Sequence, residues 1–441
     1  MPNLALTGLD RLLEAFSLLE NIAAEKDNTS VHYQSLVEQY EALVQVICND
    51  HVKAAQTHIA NSELAAGLVK EIQAECQEII EYRQATERWH LDIDWRSKDR
   101  IVSFGEKLSC RFMATLLVDR GVDAAFVDLD DVIPKGNNGK SIDAAFYRQL
   151  ASIFKEKVLA CGPKVPVITG YFGTVPNGLM DGEIGRGYTD LCAALVAVGL
   201  GAEELQVWKE VDGIFTADPT KVPTARLLAT ITPAEAAELT FYGSEVIHHL
   251  TMDQVIHAEP PIPIRIKNVK NPRGNGTIVL PDPELAPNRP LVHQRKASNG
   301  APRKSPKRPT AVTIKDKISV INVHSNKRSI SHGFFARVFS ILDRHRISVD
   351  LISTSEVHVS MAIHDNNLTH VDLQLAKEEL SECGDVTIID KMAILSLVGA
   401  EMKHMIGIAG KMFSTLGENN VNIEMISQGM SHSPKLIYSG S

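Results

Sequence analysis

The sequence predicts an α/β protein: a layered α/β/α sandwich around a largely parallel sheet, followed by a smaller β-α-β module built twice. Three observations predict it. Helix and strand patterns alternate from about residue 100 to residue 290. The stretch QRKASNGAPRKSPKRPT then interrupts them, rich in Pro, Ser, Lys and Arg and unable to bury a core. Beyond it one pattern occurs twice at a constant offset. With 441 residues the chain is too long for a single core. Its composition, 44% hydrophobic and 22% charged, is that of an ordinary globular protein. A formal charge of −9, spread along the chain, argues against a nucleic-acid partner. No apolar run is long enough to span a membrane, and the first residues, MPNLALTGLDRLLEAF, lack the pattern of a signal peptide. Cys48, Cys76, Cys110, Cys161, Cys192 and Cys383 are scattered without a CxxC pair, as expected in a reducing, cytoplasmic compartment.

Residues 8–90 carry apolar residues at helical spacing throughout. SFGEKLSCRFMATLLVDRG reads as a helix opened near Gly105-Glu106 and ended at Gly121, and VDAAFVDL as a short strand. SIDAAFYRQLASIFKEKV is a helix, VPVITGYFG a buried strand running into glycines, and TDLCAALVAVGLGA another helix. LQVWKEV and IPIRIKNV read as strands. Between them, Thr232, Pro233 and Glu235 form a capping box, and Ser244 marks a second helix start. His248 and His249 are adjacent and are expected to point apart, so with His257 they read as structural or exposed rather than metal-binding. In the last third, ISVINVHSN, HGFFARVFSILDRH and ISVDLISTS are matched by AILSLVGAE, IGIAGKMFSTLGEN and VNIEMISQG. The first copy continues with EVHVSMAI and the helix VDLQLAKEELSECG. After Gly429 the tail MSHSPKLIYSGS shows neither strand alternation nor helical period, so the second copy reads as incomplete.

Three clusters carry chemistry. In GEIGRGYTD (182–190), Arg186 sits between two glycines before a helix, after a strand whose end is itself glycine-rich. Unpaired backbone N–H groups at a helix start attract anions, and an arginine beside them can grip a carboxylate or phosphate with two bonds. Asp190 could orient a cation. A plain loop with Thr189 or Asp190 as N-cap is an equal alternative, because glycine motifs occur often by chance. In SFGEKLS (103–109), Glu106 reads as a first-turn carboxylate that favours the helix dipole, or else as a receptor for an amino group. In WKEVDGIFTADPT (208–220), Lys209 and Glu210 lie at a strand end and Phe215 is an aromatic on which a purine could stack. A turn with a core aromatic is the simpler reading there.

Taken together and in order, SFGEKLS, VPVITGYFG, GRGYTDLCAALVA, WKEVDGIFTADP, LTFYGSEVIH and IKNVKNPRGNGT resemble the aspartate kinases of the amino-acid kinase superfamily. INVHSNKRSISHGFFARVFSIL, VDLISTSEVHVSMA and NNVNIEMISQG resemble their tandem, ferredoxin-like (βαββαβ) ACT domains. The wording is closest to the fungal branch, which is typically regulated by threonine. The resemblance implies a catalytic domain over residues 1–290, a linker over 291–311, and ACT domains over 312–385 and 386–441, the second incomplete. It implies ATP and Mg²⁺, L-aspartate as phosphoryl acceptor, an allosteric amino acid, and homo-oligomers formed through the ACT domains. Arg186 would clamp the substrate's α-carboxylate and Glu106 its amino group. Thr189 and Asp190 would lie by the substrate and the transferred phosphoryl group. Lys209, Glu210, Phe215 and Lys221 would serve the nucleotide. The chain departs from the pattern at Thr220, Glu245 and His249, where arginine, lysine and proline are usual. It also lacks the family's opening Lys-Phe-Gly-Gly-Thr-Ser strand. Losing one cationic stabiliser commonly costs about 10²–10³ in rate, so the sequence leaves open a catalytically impaired, amino-acid-binding paralogue or partial gene product that acts as a regulatory subunit of an intact kinase. Glutamate kinase is a weaker alternative, against which the tandem repeat counts.

Overall fold

The computed structural model describes residues 2–133, 142–175, 178–179, 184–242, 247–280, 309–325, 333–364, 370–399, 402, 405–428 and 434–439. Most of the basic linker, Ser244 and Glu245 lie outside the described residues. The chain forms two compact units, Met1–Leu205 with Ile247–Ile262, and Gln206–Val246 with Pro263–Ser441.

The first unit opens with four helices: α1 (Pro2–Ala24), α2 (Val31–His58), α3 (Ser62–Trp89) and α4 (Trp95–Asp119). Leu12, Ala15, Leu19 and Ile22 of α1 form one stripe; Leu36, Tyr40, Val44 and Ile47 of α2, and Leu68, Ile72, Cys76 and Ile79 of α3, form two more. The stripes close on Ile101, Phe104 and Leu108 of α4. Each such buried aliphatic side chain contributes about 1.5–3 kcal/mol. The helix starts are capped: Ser30 accepts from the Tyr33 N–H, Asn61 from Glu63 and Leu64, and Asp94 from Arg96. The cap at Asp94 corrects one expectation. The helix begins at Trp95, eleven residues before Glu106, so that carboxylate sits mid-helix and gains nothing from the dipole at its start.

Strand β1 (Ala124–Val127), helix α5 (Ala144–Leu159) and strand β2 (Val165–Ile168) follow, with β1 and β2 paired in parallel. The expected burial of β2 is incomplete, since Val165 is half-exposed. A single 3₁₀ turn, Gly185–Gly187, leads into α6 (Tyr188–Leu200), which ends at Gly201 in the left-handed region. Two helices come later in the chain, α7 (Pro233–Tyr242) in the second unit and α8 (His249–Ile256) in the first. At the start of α8 the rings of His248 and His249 lie 4.4 Å apart, tilted by 39° to each other, instead of pointing apart. Among the described residues no group of three or more His, Cys, Asp or Glu side chains gathers as a metal site.

The second unit holds a four-stranded sheet in the order β3-β5-β6-β4, built from β3 (Leu205–Lys209), β4 (Thr230–Ile231), β5 (Ile264–Asn268) and β6 (Thr277–Val279). β4 and β6 are parallel but β5 and β6 antiparallel, so this sheet is mixed. The capping box of α7 is present: the Thr232 N–H donates to the Glu235 carboxylate at 3.0 Å, and the Glu235 N–H to the Thr232 hydroxyl at 3.3 Å.

The duplicated module forms a single six-stranded sheet, β11-β12-β10-β7-β9-β8. Its elements are β7 (Ala311–Ser325), α9 (Phe334–Arg344), β8 (Val349–Thr354), β9 (His358–His364), α10 (His370–Leu380), β10 (Gly384–Val398), α11 (Ile408–Glu418), β11 (Ile423–Gln428) and β12 (Pro434–Ser439). The repeat is written into the backbone. Gly333 and Gly407, Arg346 and Asn420, and Lys317 and Lys391 all have positive φ, each pair at the spacing that separates Phe339 from Phe413. β7 and β10, the equivalent long strands, pair antiparallel along their whole length at the centre of the sheet. The tail contains the strand that its sequence hid. β12 is the counterpart of β9 and lies between β10 and β11. Leu436 and Ile437 are both fully buried, one in each of two apolar clusters on opposite faces. A strand covered on both faces shows no polar alternation.

Candidate active site

Parallel strands of such a sheet gather ligands beyond their carboxyl ends. At the ends of β1 and β2 the chain continues as Asp128-Leu129-Asp130 and Thr169-Gly170-Tyr171. Thr169, fully buried, joins the two: its hydroxyl accepts from the Leu129 N–H at 3.0 Å and donates to the Tyr171 carbonyl at 3.1 Å. Helix α4 delivers two charged side chains to this place.

Glu106 reaches the loop after β2. Its carboxylate accepts from the Tyr171 N–H at 2.5 Å, from the Tyr188 hydroxyl, and from the Gly170 N–H. Burial raises its pKa above the ordinary carboxylate value, and those three donors lower it only in part. Gly170 is where α4, α6 and this loop meet. A Cβ there would stand 2.6 Å from Cγ2 of Thr189 and 2.9 Å from Oε2 of Glu106. Two predicted site residues, Glu106 and Thr189, are thus in contact with one glycine, and Asp190 follows in the first turn of α6. The GRG turn is positioned from behind, because the His248 ring lies 2.2 Å from where a Cβ on Gly187 would be. Arg186 belongs to that turn; its side chain lies outside the described residues.

Lys107 points to the other strand. Its ammonium lies 2.5 Å from Asp130 and 3.1 Å from Asp128. Burial alone would lower its pKa, but the two carboxylates outweigh that and hold it raised. Sequence reading missed Lys107, Tyr188 and Tyr171. Only their partners, 23, 82 and 65 residues away in the chain, reveal them.

In the second unit, β3 ends at Lys209, whose carbonyl accepts from the Val269 N–H at 2.9 Å. Glu210 is exposed and Phe215 half-buried. The Asp212 carboxylate accepts from the side-chain amides of Asn268 and Asn271, and the Ile214 N–H donates to the Thr277 hydroxyl at 2.9 Å. Phe215 bridges to Leu227 across the loop. Lys221 is held by the six-stranded sheet: its ammonium pairs with Asp316 of β7 at 2.6 Å, and the nearby Thr216 carbonyl accepts from the Val312 N–H at 2.9 Å.

Similarity to known proteins covers most of the chain. A model of the amino acid kinase family matches residues 29–268 and one of the ACT domain matches residues 395–433. The aspartate kinase FUB3 of Gibberella fujikuroi is 50% identical over 424 residues, which are 96% of this chain and 83% of that protein. Escherichia coli aspartokinase III in complex with lysine and aspartate (T-state) has the same fold with a TM-score of 0.71 and 26% identity, over 97% of this chain and 87% of that one. The same enzyme in complex with aspartate and ADP (R-state) gives a TM-score of 0.61 at the same identity and coverage. Half of its residues shared along almost its whole length, together with a shared fold, make this protein a member of the aspartokinases within the amino acid kinase family.

Proposed function

We propose that the protein transfers the γ-phosphoryl group of ATP to the side-chain carboxylate of L-aspartate, giving 4-phospho-L-aspartate for homoserine-derived amino acids. The observation that carries this reading is the Glu106 carboxylate, fixed by three donors beside Gly170 and Thr189 at the strand ends. An anion held there suits an ammonium group. The GRG turn before α6 suits the substrate's carboxylate, with Arg186 as its clamp. So held at one end, aspartate presents its other carboxylate for attack, and positioning with charge neutralisation does most of the work in phosphoryl transfer.

Nucleotide use is a property of the family, and an ADP complex is known for a relative of the same fold. Lys209, Glu210, Phe215 and Lys221 are the residues we assign to it. ATP brings Mg²⁺, which takes oxygen ligands and keeps most of them from phosphate and water. Asp190 is the carboxylate of this chain that we assign to that ion. The catalytic part is read as residues 1–290, joined by 291–311 to ACT domains over 312–385 and 386–441 that take threonine and pair copies of the chain. We read it as a cytoplasmic enzyme; no helix among the described residues is long and apolar enough to cross a membrane.

Aspartate-dependent ADP release tests the reaction. Arg186→Ala should raise the aspartate concentration needed for half-maximal rate at least tenfold and that of ATP less than twofold. An unchanged aspartate requirement removes Arg186 from this role.

A further inference from the structure

We propose that Tyr188 is a positioning residue whose hydroxyl holds the Glu106 carboxylate in the one orientation that receives the substrate's ammonium group. The inference rests on the assignment of Glu106 made above. Glu106 has three rotatable bonds and sits near the middle of α4, so its carboxylate must be fixed by its neighbours. Tyr188, the first residue of α6, is buried and donates its hydroxyl to Oε1. The Tyr171 N–H holds Oε2, and the Gly170 N–H is the third donor. A carboxylate offers about four lone-pair positions. Three donors leave room for about one more, and a charge-assisted N⁺–H is the strongest group that can take it. Of the three, two are backbone and are present whatever the side chains. Tyr188 alone among them is a choice of residue.

The groups around Glu106 sharpen this role. Cys110, one turn further along α4, and Cys192 on α6 both feel its charge, and burial first, then Glu106, pushes both thiols up so that they are neutral at physiological pH. Tyr171 is raised to about 12 by burial and is neutral too. Asp99, two turns earlier in α4, acts on Tyr188 and not as a donor to Glu106. Lys107 faces away, toward Asp128 and Asp130. Against the cost of burial, the Tyr188 hydroxyl is the largest influence keeping Glu106 ionised.

Calorimetric titration of L-aspartate into the full chain between pH 5.5 and 8.5 tests the proposal, with Tyr188→Phe, Glu106→Gln and the double variant beside wild type. Tyr188→Phe should weaken aspartate about tenfold at pH 6. Glu106 must be ionised to pair with the ammonium group, and in this variant it has lost a bond that favoured ionisation. The acid limb of affinity therefore moves to higher pH. In the Glu106→Gln background the same change should have no further effect. A Tyr188→Phe profile that overlays wild type, or a uniform loss at every pH with a lowered melting temperature, overturns the proposal. Should Glu106→Gln leave aspartate binding intact, or wild type bind none, the assignment of Glu106 fails first and this inference with it. If Tyr188→Phe does not fold, 3-fluorotyrosine at position 188 keeps the shape and strengthens the donor. The acid limb then shifts to lower pH, and an unmoved limb is equally decisive against the idea.

Discussion

At the scale of single residues, the candidate site is a matter of close approach. Gly170 has no room for a side chain, because Thr189 stands on one side and Glu106 on the other. Gly170→Ala should destabilise the protein by about 1–3 kcal/mol, the usual cost of forcing a methyl group into a packed place. It should also weaken aspartate binding, because the carboxylate has to move. A thermal melt and a binding titration on the same variant check both; a stable Gly170→Ala protein with normal affinity contradicts the geometry. Glu106 and Thr189 were legible in the sequence because family motifs carry them. Tyr188 was not, since one letter in GRGYTD says nothing about a partner on α4. Lys107 was hidden for the same reason: the aspartates that surround it lie after a different strand.

Elements were easier to read from the sequence than their limits. The apolar stripes of α1, α2 and α3 predict three helices, and the structure packs all three into one core with α4. The start of α4 escaped because its first turn, WRSKD, is polar and its signal is the single cap Asp94. Strand β12 escaped for the opposite reason. Leu436 and Ile437 are neighbours that face opposite apolar clusters, so the period of two that marks a half-buried strand is missing. Ile437→Ala should therefore cost about 2–5 kcal/mol, as for other fully buried aliphatic residues. Urea unfolding of the variant, followed by circular dichroism, provides the measurement. A cost below about 0.5 kcal/mol would mean that PKLIYS does not sit between β10 and β11.

At the scale of the whole molecule, the second unit ties the loop after β3, to which we assign the nucleotide, to the six-stranded sheet. Lys221 and Asp316, Thr216 and Val312, and Glu235 and Thr310 tie the loop after β3 and helix α7 to β7 and the residue just before it. The Lys221–Asp316 pair is half-exposed, and such pairs contribute only about 0–1 kcal/mol, so its worth is in registration more than in stability. Threonine binding should need the sheet itself. Calorimetry on a protein ending at residue 308 should show none, while the full chain binds it; binding by the shortened protein would move the effector site elsewhere. The repeat was legible from Phe339 and Phe413 onward, but not that β7 and β10 merge the copies into one sheet. Their pairing runs from Ala311 to Ser325 against Gly384 to Val398, through the position where the sequence divides one copy from the next. Neither half can come apart without stripping the other's central strand of its ladder of bonds. On heating, the two copies should therefore be lost in a single cooperative step, like one foldon and not like two beads on a string.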